Sequence, residues 1–272
     1  MIWRRSADKN ERRAQAHALR PGVQDNSAHD QMRLGFDLDG TIADLHGALA
    51  LEARRLFPGI DLAVLPNSAA VDDAPAGDTA ADSEASALSI GALTSRQQRQ
   101  LWDAVCEREN FWESLDEIEP GSLRRLYQMV RQHRWELMFM TSRPESKGDR
   151  AQLQSHRWLM KHGYETPAVM VVHGSRGKIC SALQLDVLVD DRPENCLDVA
   201  IDSSARAILM WRGDEGKVPG SARQLGIGSV KSMQECLDIL EQLDRGEPDQ
   251  GGVVDRLKRL LGLGTSARRR RT

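Results

Sequence analysis

Five short apolar runs that end abruptly in polar residues, with helical patterns between them, constrain this chain more than any other feature. They are MRLGFDL from Met32, ELMFM from Glu136, AVMVV from Ala168, VLV from Val187 and AILMW from Ala207. A run that is apolar throughout, rather than alternating, belongs to a strand buried on both faces, as in a parallel sheet. The helical patterns cover residues 122–132, 149–162, 177–183 and 193–201. This alternation predicts an α/β, Rossmann-like doubly wound parallel sheet. Its ligand site should lie beyond the carboxyl ends of the strands. The three most polar strand ends, DLDGT, TSRP and DDRP, would meet there.

The first and second runs are separated by far more residues than the few that usually join sheet elements, so the segment between them must carry structure of its own. Residues 47–121 are therefore expected to form an inserted, mainly helical cap, with core segments at 32–46 and 122–245. Helical patterns occupy residues 46–56 and 94–109, the second opened by a Thr-Ser start signal. An Ala/Asp/Ser-rich stretch at about 66–90 reads as a disordered loop. Residues 1–31 are polar and broken by Pro21-Gly22, which suggests a flexible extension. Residues 232–243 read as a closing helix, and 246–272 as an amphipathic segment followed by a tail of four arginines at 268–271.

Composition adds exclusions. Of 272 residues, 40% are hydrophobic and 4% aromatic, and the net charge of -3 offers no global attraction for nucleic acid or anionic lipid. Any contact with nucleic acid would fall to the arginine tail, whose alternative role is a solvated end that aids solubility. Cys106, Cys180, Cys196 and Cys236 form no C-x-x-C pair, so neither a zinc knuckle nor a dithiol redox site is expected. No stretch approaches the roughly 20 apolar residues of a membrane span. The amino-terminal residues lack the apolar core of a secretion signal. A cytoplasmic location is the resulting expectation; oligomeric state is not legible.

The strand ends carry the chemistry. Two carboxylates at i and i+2 after a buried strand, Asp37 and Asp39, need a counterion or a reaction, because buried unpaired charge is costly. A second pair, Asp190 and Asp191, ends another predicted strand. A hard divalent cation, Mg²⁺ above all, is the simplest compensation for carboxylates gathered at a phosphate-handling site. Lys178, near a predicted helix start, could add positive charge. His156, His162 and His173 lack metal-ligand spacing and are read as solvated or capping residues. Phe111 and Trp112 suit either core packing at a cap hinge or stacking on a ligand.

In this order, DLDGT, a strand ending in Thr141-Ser142, Lys178, then a strand ending in Asp190-Asp191, the chain resembles the haloacid dehalogenase-like (HAD) superfamily of phosphohydrolases. The likeness runs from about Arg33 to Trp211, without the insertion. TSRP followed by Trp158-Leu159 and Gly163, and Phe111-Trp112 ahead of Pro120-Gly121, are most similar to the cytosolic 5′(3′)-deoxyribonucleotidase type. The rest of the insertion departs from that type.

The resemblance implies a HAD-like core and a Mg²⁺-dependent phosphomonoesterase acting on a small phosphorylated substrate, a nucleoside monophosphate first among them. Asp37 would be the nucleophile and Asp39 the acid and base, with Thr141 and Lys178 on the phosphoryl oxygens. The metal would be held by the side chain of Asp37, the backbone carbonyl of Asp39 and the Asp190-Asp191 pair, Asp191 directly and Asp190 as partner of Lys178. Gly40 would permit the turn and Thr41 would brace it through its hydroxyl. Ser142 would contact substrate, and Arg143 and Arg192 would reach a second anionic group or form structural ion pairs. Other readings are a phosphatase of sugar phosphates or nucleic-acid ends, and a non-catalytic binding protein of the same fold.

Overall fold

A computed structural model describes residues 31–60 and 93–245. The chain divides into two units, Met1–Gln31 and Met32–Thr272, and the second holds every strand and helix described. The expected extension, the Ala/Asp/Ser-rich loop and the segment at 246–272 lie outside the described residues.

Among the described residues six parallel strands form one sheet in the order β3-β2-β1-β4-β5-β6. They are β1 (Arg33–Asp37), β2 (Glu136–Thr141), β3 (Ala168–Val171), β4 (Val187–Asp190), β5 (Arg206–Met210) and β6 (Gly228–Val230). This is the doubly wound order, and the direction of winding reverses between β1 and β4. Asp37 ends β1 and Asp190 ends β4, so the two acidic motifs flank the switch point where ligands bind in such sheets.

The apolar runs divide by alternation. Leu34, Phe36, Phe139, Val187, Val189, Ile208 and Met210 face one core, and Met140, Leu188, Ala207 and Leu209 face the other. The first core is covered by α3 (Ser122–His133), α4 (Ala151–Lys161) and α8 (Met233–Arg245), the second by α5 (Arg176–Leu183), α6 (Pro193–Asp202) and α7 (Gly220–Gln224). Central strands must therefore be apolar on both sides, which is the pattern read from the sequence. Gly35 serves this packing by leaving its side of β1 to Met140, Leu185 and Leu188.

The insertion contributes α1 (Leu45–Leu56), α2 (Ser95–Glu107) and a 3₁₀ turn at Phe111–Ser114. Asp44 caps α1 by accepting from the backbone N–H of Gly47. Thr94 and Gln97 form a reciprocal capping box on α2, the Thr-Ser start signal seen in the sequence. Leu45, Leu49, Leu101, Val105, Phe111 and Trp112 join the first core, so cap and sheet share one apolar cluster. The two cap connectors run side by side: Ala43 bridges Glu117, Asp44 N–H donates to the Asp116 carbonyl, and Ile118 N–H donates to that of Ile42. No helix among the described residues is long and apolar enough to cross a membrane.

Helices α5 and α6 approach closely at Gly177. Its N–H donates to Asp198 Oδ2 at 2.9 Å, and a Cβ there would collide with the Asp198 backbone carbonyl, which cannot swing away as a side chain could. Gly177→Ala should therefore cost about 1–3 kcal/mol, the usual range for overpacking. A Tm several degrees lower in a thermal melt would show it, and an unchanged Tm would contradict the close approach.

Candidate active site

β1 runs into a tight loop in which Ile42 N–H and Ala43 N–H both donate to the Leu38 carbonyl at 2.8 Å, and Gly40 adopts φ 82°. That φ lies in the left-handed region, open to glycine at little cost. The turn sets Asp37 and Asp39 beside one cavity of about 280 Å³. Thr141, Ser142 and Arg143 from the end of β2, Arg176 from the start of α5, and Asp191, Arg192 and Asn195 after β4 complete its base. Leu45 from α1, Arg99, Trp102, Asp103 and Cys106 from α2, and Trp112 from the 3₁₀ turn line the other side.

The carboxylates dominate the electrostatics. Asp37, Asp190 and Asp191 are buried, and each offers an oxygen within 4.8 Å of the others. Loss of water raises the proton affinity of Asp37 well above the ordinary range, and Asp190 and Asp191 raise it further while Arg176 opposes them. Asp191 is raised well for the same reasons, burial first and then Asp190. Asp190 is raised by burial and restrained by Arg176, by the Arg192 N–H and by Asn195. It accepts from Arg192 N–H at 2.9 Å and from Asn195 Nδ2 at 2.9 and 3.1 Å. Arg176, Arg192 and Arg212 offset part of this charge, yet burial still raises all three carboxyls, and an all-oxygen donor set of this kind suits a hard cation such as Mg²⁺.

Several expectations change at this level. Lys178 is exposed on α5 and does not border the cavity. Successive helical residues turn by about 100°, so positions 176 and 178 face nearly opposite ways. Arg176 faces inward instead, 3% exposed, with Nη2 3.6 Å from Asp37 Oδ1 and Nε 3.8 Å from Asp190 Oδ2, and it donates to Ser142 Oγ at 2.8 Å. Asp190 accordingly faces Arg176 and Asn195 rather than Lys178.

Thr41 is fully buried, yet its hydroxyl has no hydrogen-bond partner. The bracing comes from Arg212, which donates to the carbonyls of Gly40 at 2.8 Å and Thr41 at 3.0 Å and pairs with Glu119 at 2.9 Å. Glu119 also receives the N–H of Met233 at the start of α8. Arg212 follows the fifth apolar run as Asp190 follows the fourth, and that position was the one signal available for it.

Thr141 is buried and its hydroxyl donates to Asp39 Oδ2 at 2.9 Å. Arg143 holds the same carboxylate through Nε and Nη2, at 2.7 to 3.1 Å, and its side chain shows no exposed surface. Of the two roles expected of Arg143, a substrate contact or an ion pair, the geometry shows the ion pair, with Asp39. Ser142 and Arg192 border the cavity, Arg192 part-exposed with Nε 4.0 Å from Glu194. Phe111 and Trp112 are both core residues, and Trp112 also touches the cavity. Among the histidines, His162 pairs with Glu117 at 3.1 Å and does not line the cavity.

No family model and no curated protein sequence matches the chain. Among solved structures it is similar to a predicted phosphoglycolate phosphatase from Haemophilus somnus 129PT, at 15% identity and a TM-score of 0.48 over 78% of this chain and 99% of that one. A HAD family hydrolase from Deinococcus radiodurans R1 with bound phosphate and sodium gives 12% identity and a TM-score of 0.48 over 78% and 96%. A putative beta-phosphoglucomutase from Thermotoga maritima gives 16% identity and a TM-score of 0.47 over 78% and 100%.

A carboxyl whose proton affinity is raised by folding binds its proton more tightly in the native state than in the unfolded one. Stability then falls as pH climbs from about 4 through the raised value. In EDTA, wild-type Tm should drop relative to Asp191→Asn as pH rises from about 4 to 8. Saturating Mg²⁺ should restore wild type, by about 2.7 kcal/mol at a hundred times Kd, and do little for the variant. Parallel melting curves for the two proteins in EDTA, or equal Mg²⁺ shifts, would contradict the assignment.

Proposed function

We propose that the chain is a Mg²⁺-dependent phosphomonoester hydrolase of HAD type, acting through an aspartyl-phosphate, with residues 32–46 and 122–245 as its core and 47–121 as its cap. The observation that carries this reading is the placement of Asp37 and Asp39 on one tight turn, facing a capped cavity shared with Asp191, Ser142 and Arg176. One carboxylate for covalent attack, a second for proton transfer, and separate positive charge for the phosphoryl oxygens are the parts such a hydrolysis needs.

Asp37 attacks phosphorus, and Asp39 gives its proton to the departing alcohol oxygen as the ester bond breaks. Asp39 then takes a proton from the water that attacks the aspartyl-phosphate, releasing inorganic phosphate and restoring Asp37. Arg176 and the Ser142 hydroxyl bind the phosphoryl oxygens, Arg176 taking the part expected of Lys178. Thr141 supports the same oxygens indirectly, since its hydroxyl is committed to Asp39. Mg²⁺, held by the side chains of Asp37 and Asp191 and the carbonyl of Asp39, with Asp190 beside them, would neutralise the charge that gathers as phosphorus is transferred. Leu45, Trp102 and Trp112 keep bulk water from the intermediate.

The cap side of the cavity presents Trp102 with Arg99 and Asp103, an aromatic surface flanked by both charges. This supports a nucleoside monophosphate as substrate, its base lying against Trp102 and its exocyclic groups meeting the charges.

Wild type should release phosphate from p-nitrophenyl phosphate with Mg²⁺ and not with EDTA, and Asp37→Asn should lose at least about a thousandfold, as expected when a covalent nucleophile is removed. Turnover that survives Asp37→Asn would refute the mechanism. In a substrate panel, nucleoside 5′- and 3′-monophosphates should exceed sugar phosphates in kcat/KM; the reverse order would redirect the assignment to sugar phosphates, and preference for phosphorylated oligonucleotides to nucleic-acid ends.

A further inference from the structure

Arg143 is the most deeply buried charged side chain at the cavity, and its surroundings do not suit a substrate contact. Its guanidinium lies 5.0 Å from the centre of the Trp112 ring and 6.0 Å from that of Trp158, within cation–π range of both. Nη1 donates to Ser155 Oγ at 2.9 Å, and the Ser155 hydroxyl donates in turn to the Ala151 carbonyl at 2.7 Å. Trp112 is fixed in turn, with Nε1 donating to the Pro144 carbonyl at 3.0 Å and its backbone N–H to Gln154 Oε1 at 3.0 Å. The arginine is thus held by Ser155 of α4 on one side and by Trp112 of the 3₁₀ turn on the other.

The fork opens onto one group. Nε reaches Asp39 Oδ2 at 2.8 Å and Oδ1 at 3.1 Å, Nη2 reaches Oδ1 at 2.7 Å, and Thr141 Oγ1 reaches Oδ2 at 2.9 Å. Nε has a single hydrogen, shared unequally between Oδ2 at 2.8 Å and Oδ1 at 3.1 Å, so three donor hydrogens occupy about three of the carboxylate's roughly four lone-pair sites and leave about one, on Oδ1. The Asp39 side chain is 13% exposed and borders the cavity. Two fixed N–H vectors set the plane of a carboxylate in a way that the point charge of a lysine cannot.

We propose that Arg143 is a positioning residue for Asp39, locking the carboxylate plane so that its remaining oxygen site meets the leaving-group oxygen. The proposal rests on the phosphomonoesterase reading above. In the step it serves, an Asp37 oxygen forms the new bond to phosphorus, the ester P–O bond breaks, and the Asp39 proton passes to the departing oxygen. An alkoxide needs that proton, whereas p-nitrophenolate leaves without it. The parameter kcat/KM covers the steps up to departure of the leaving group, so it isolates this half of the reaction from the later hydrolysis.

The test compares wild type, Arg143→Gln and Arg143→Lys on p-nitrophenyl phosphate and on the best alkyl phosphate of the panel. Arg143→Gln should lose about a hundredfold or more in kcat/KM on the alkyl ester, the contribution of a well-placed acid, and only a few-fold on the aryl ester. Arg143→Lys should recover little of the alkyl loss. Inorganic phosphate should bind the Gln variant as it binds wild type by calorimetry, whereas loss of a direct charged contact would weaken it about tenfold or more. Equal losses on both esters with weakened phosphate binding would make Arg143 a substrate ligand and overturn the proposal, as would no loss on either. If Arg143→Gln does not fold, the Lys variant carries the same comparison, and full activity there overturns it too. Wild type inactive on both esters overturns the phosphomonoesterase reading and this role with it, whereas an active wild type with equal losses overturns only the role of Arg143.

Discussion

Mutual repulsion among Asp37, Asp190 and Asp191 is the constraint around which the rest of the molecule is arranged. Three carboxylates within 4.8 Å of one another and out of water would each prefer to keep a proton, and a sheet edge built only for stability would not carry them. Arg176 supplies part of the compensation from the first turn of α5, and Asn195 and the Arg192 N–H supply hydrogen bonds from the start of α6. Both helices are thereby given fixed starting points, and Gly177 lets them approach closely enough to hold those points together.

Strand periodicity explains how much of the fold was legible in the sequence. The runs at Met32, Glu136, Ala168, Val187 and Ala207 are apolar on both faces because the sheet is covered on both faces, and that forecast the parallel α/β architecture. β6, only Gly228–Val230, is too short to carry a pattern. The acidic strand ends were legible because charge after a buried strand is costly, so Asp37, Asp39, Asp190 and Asp191 stood out from the many other carboxylates. Side-chain direction was not legible. Arg176 and Lys178 differ by two places in sequence but by half a helical turn in space, and no local signal separates them.

The polar supports were the least visible part. Arg212 reaches carbonyls about 170 residues away along the chain, and Arg143 meets Asp39 across about a hundred. Such long-range pairs depend on topology, which must be known before they can be drawn. The unpartnered hydroxyl of Thr41 makes the same point from the other side: its side chain suited a brace, but the turn is held through its backbone carbonyl by an arginine from the loop after β5.

The bridge between Ala43 and Glu117 has a broader consequence. Departure and return of the chain are fastened side by side, and Arg212 ties the turn on one side to Glu119 on the other. The register of β1 against β2 and β4 is therefore set beside the point where the insertion leaves and rejoins the sheet. The cavity is thereby walled by two stretches of one polypeptide that are held in fixed relation at a single hinge, with Trp112 reaching across it to Arg143.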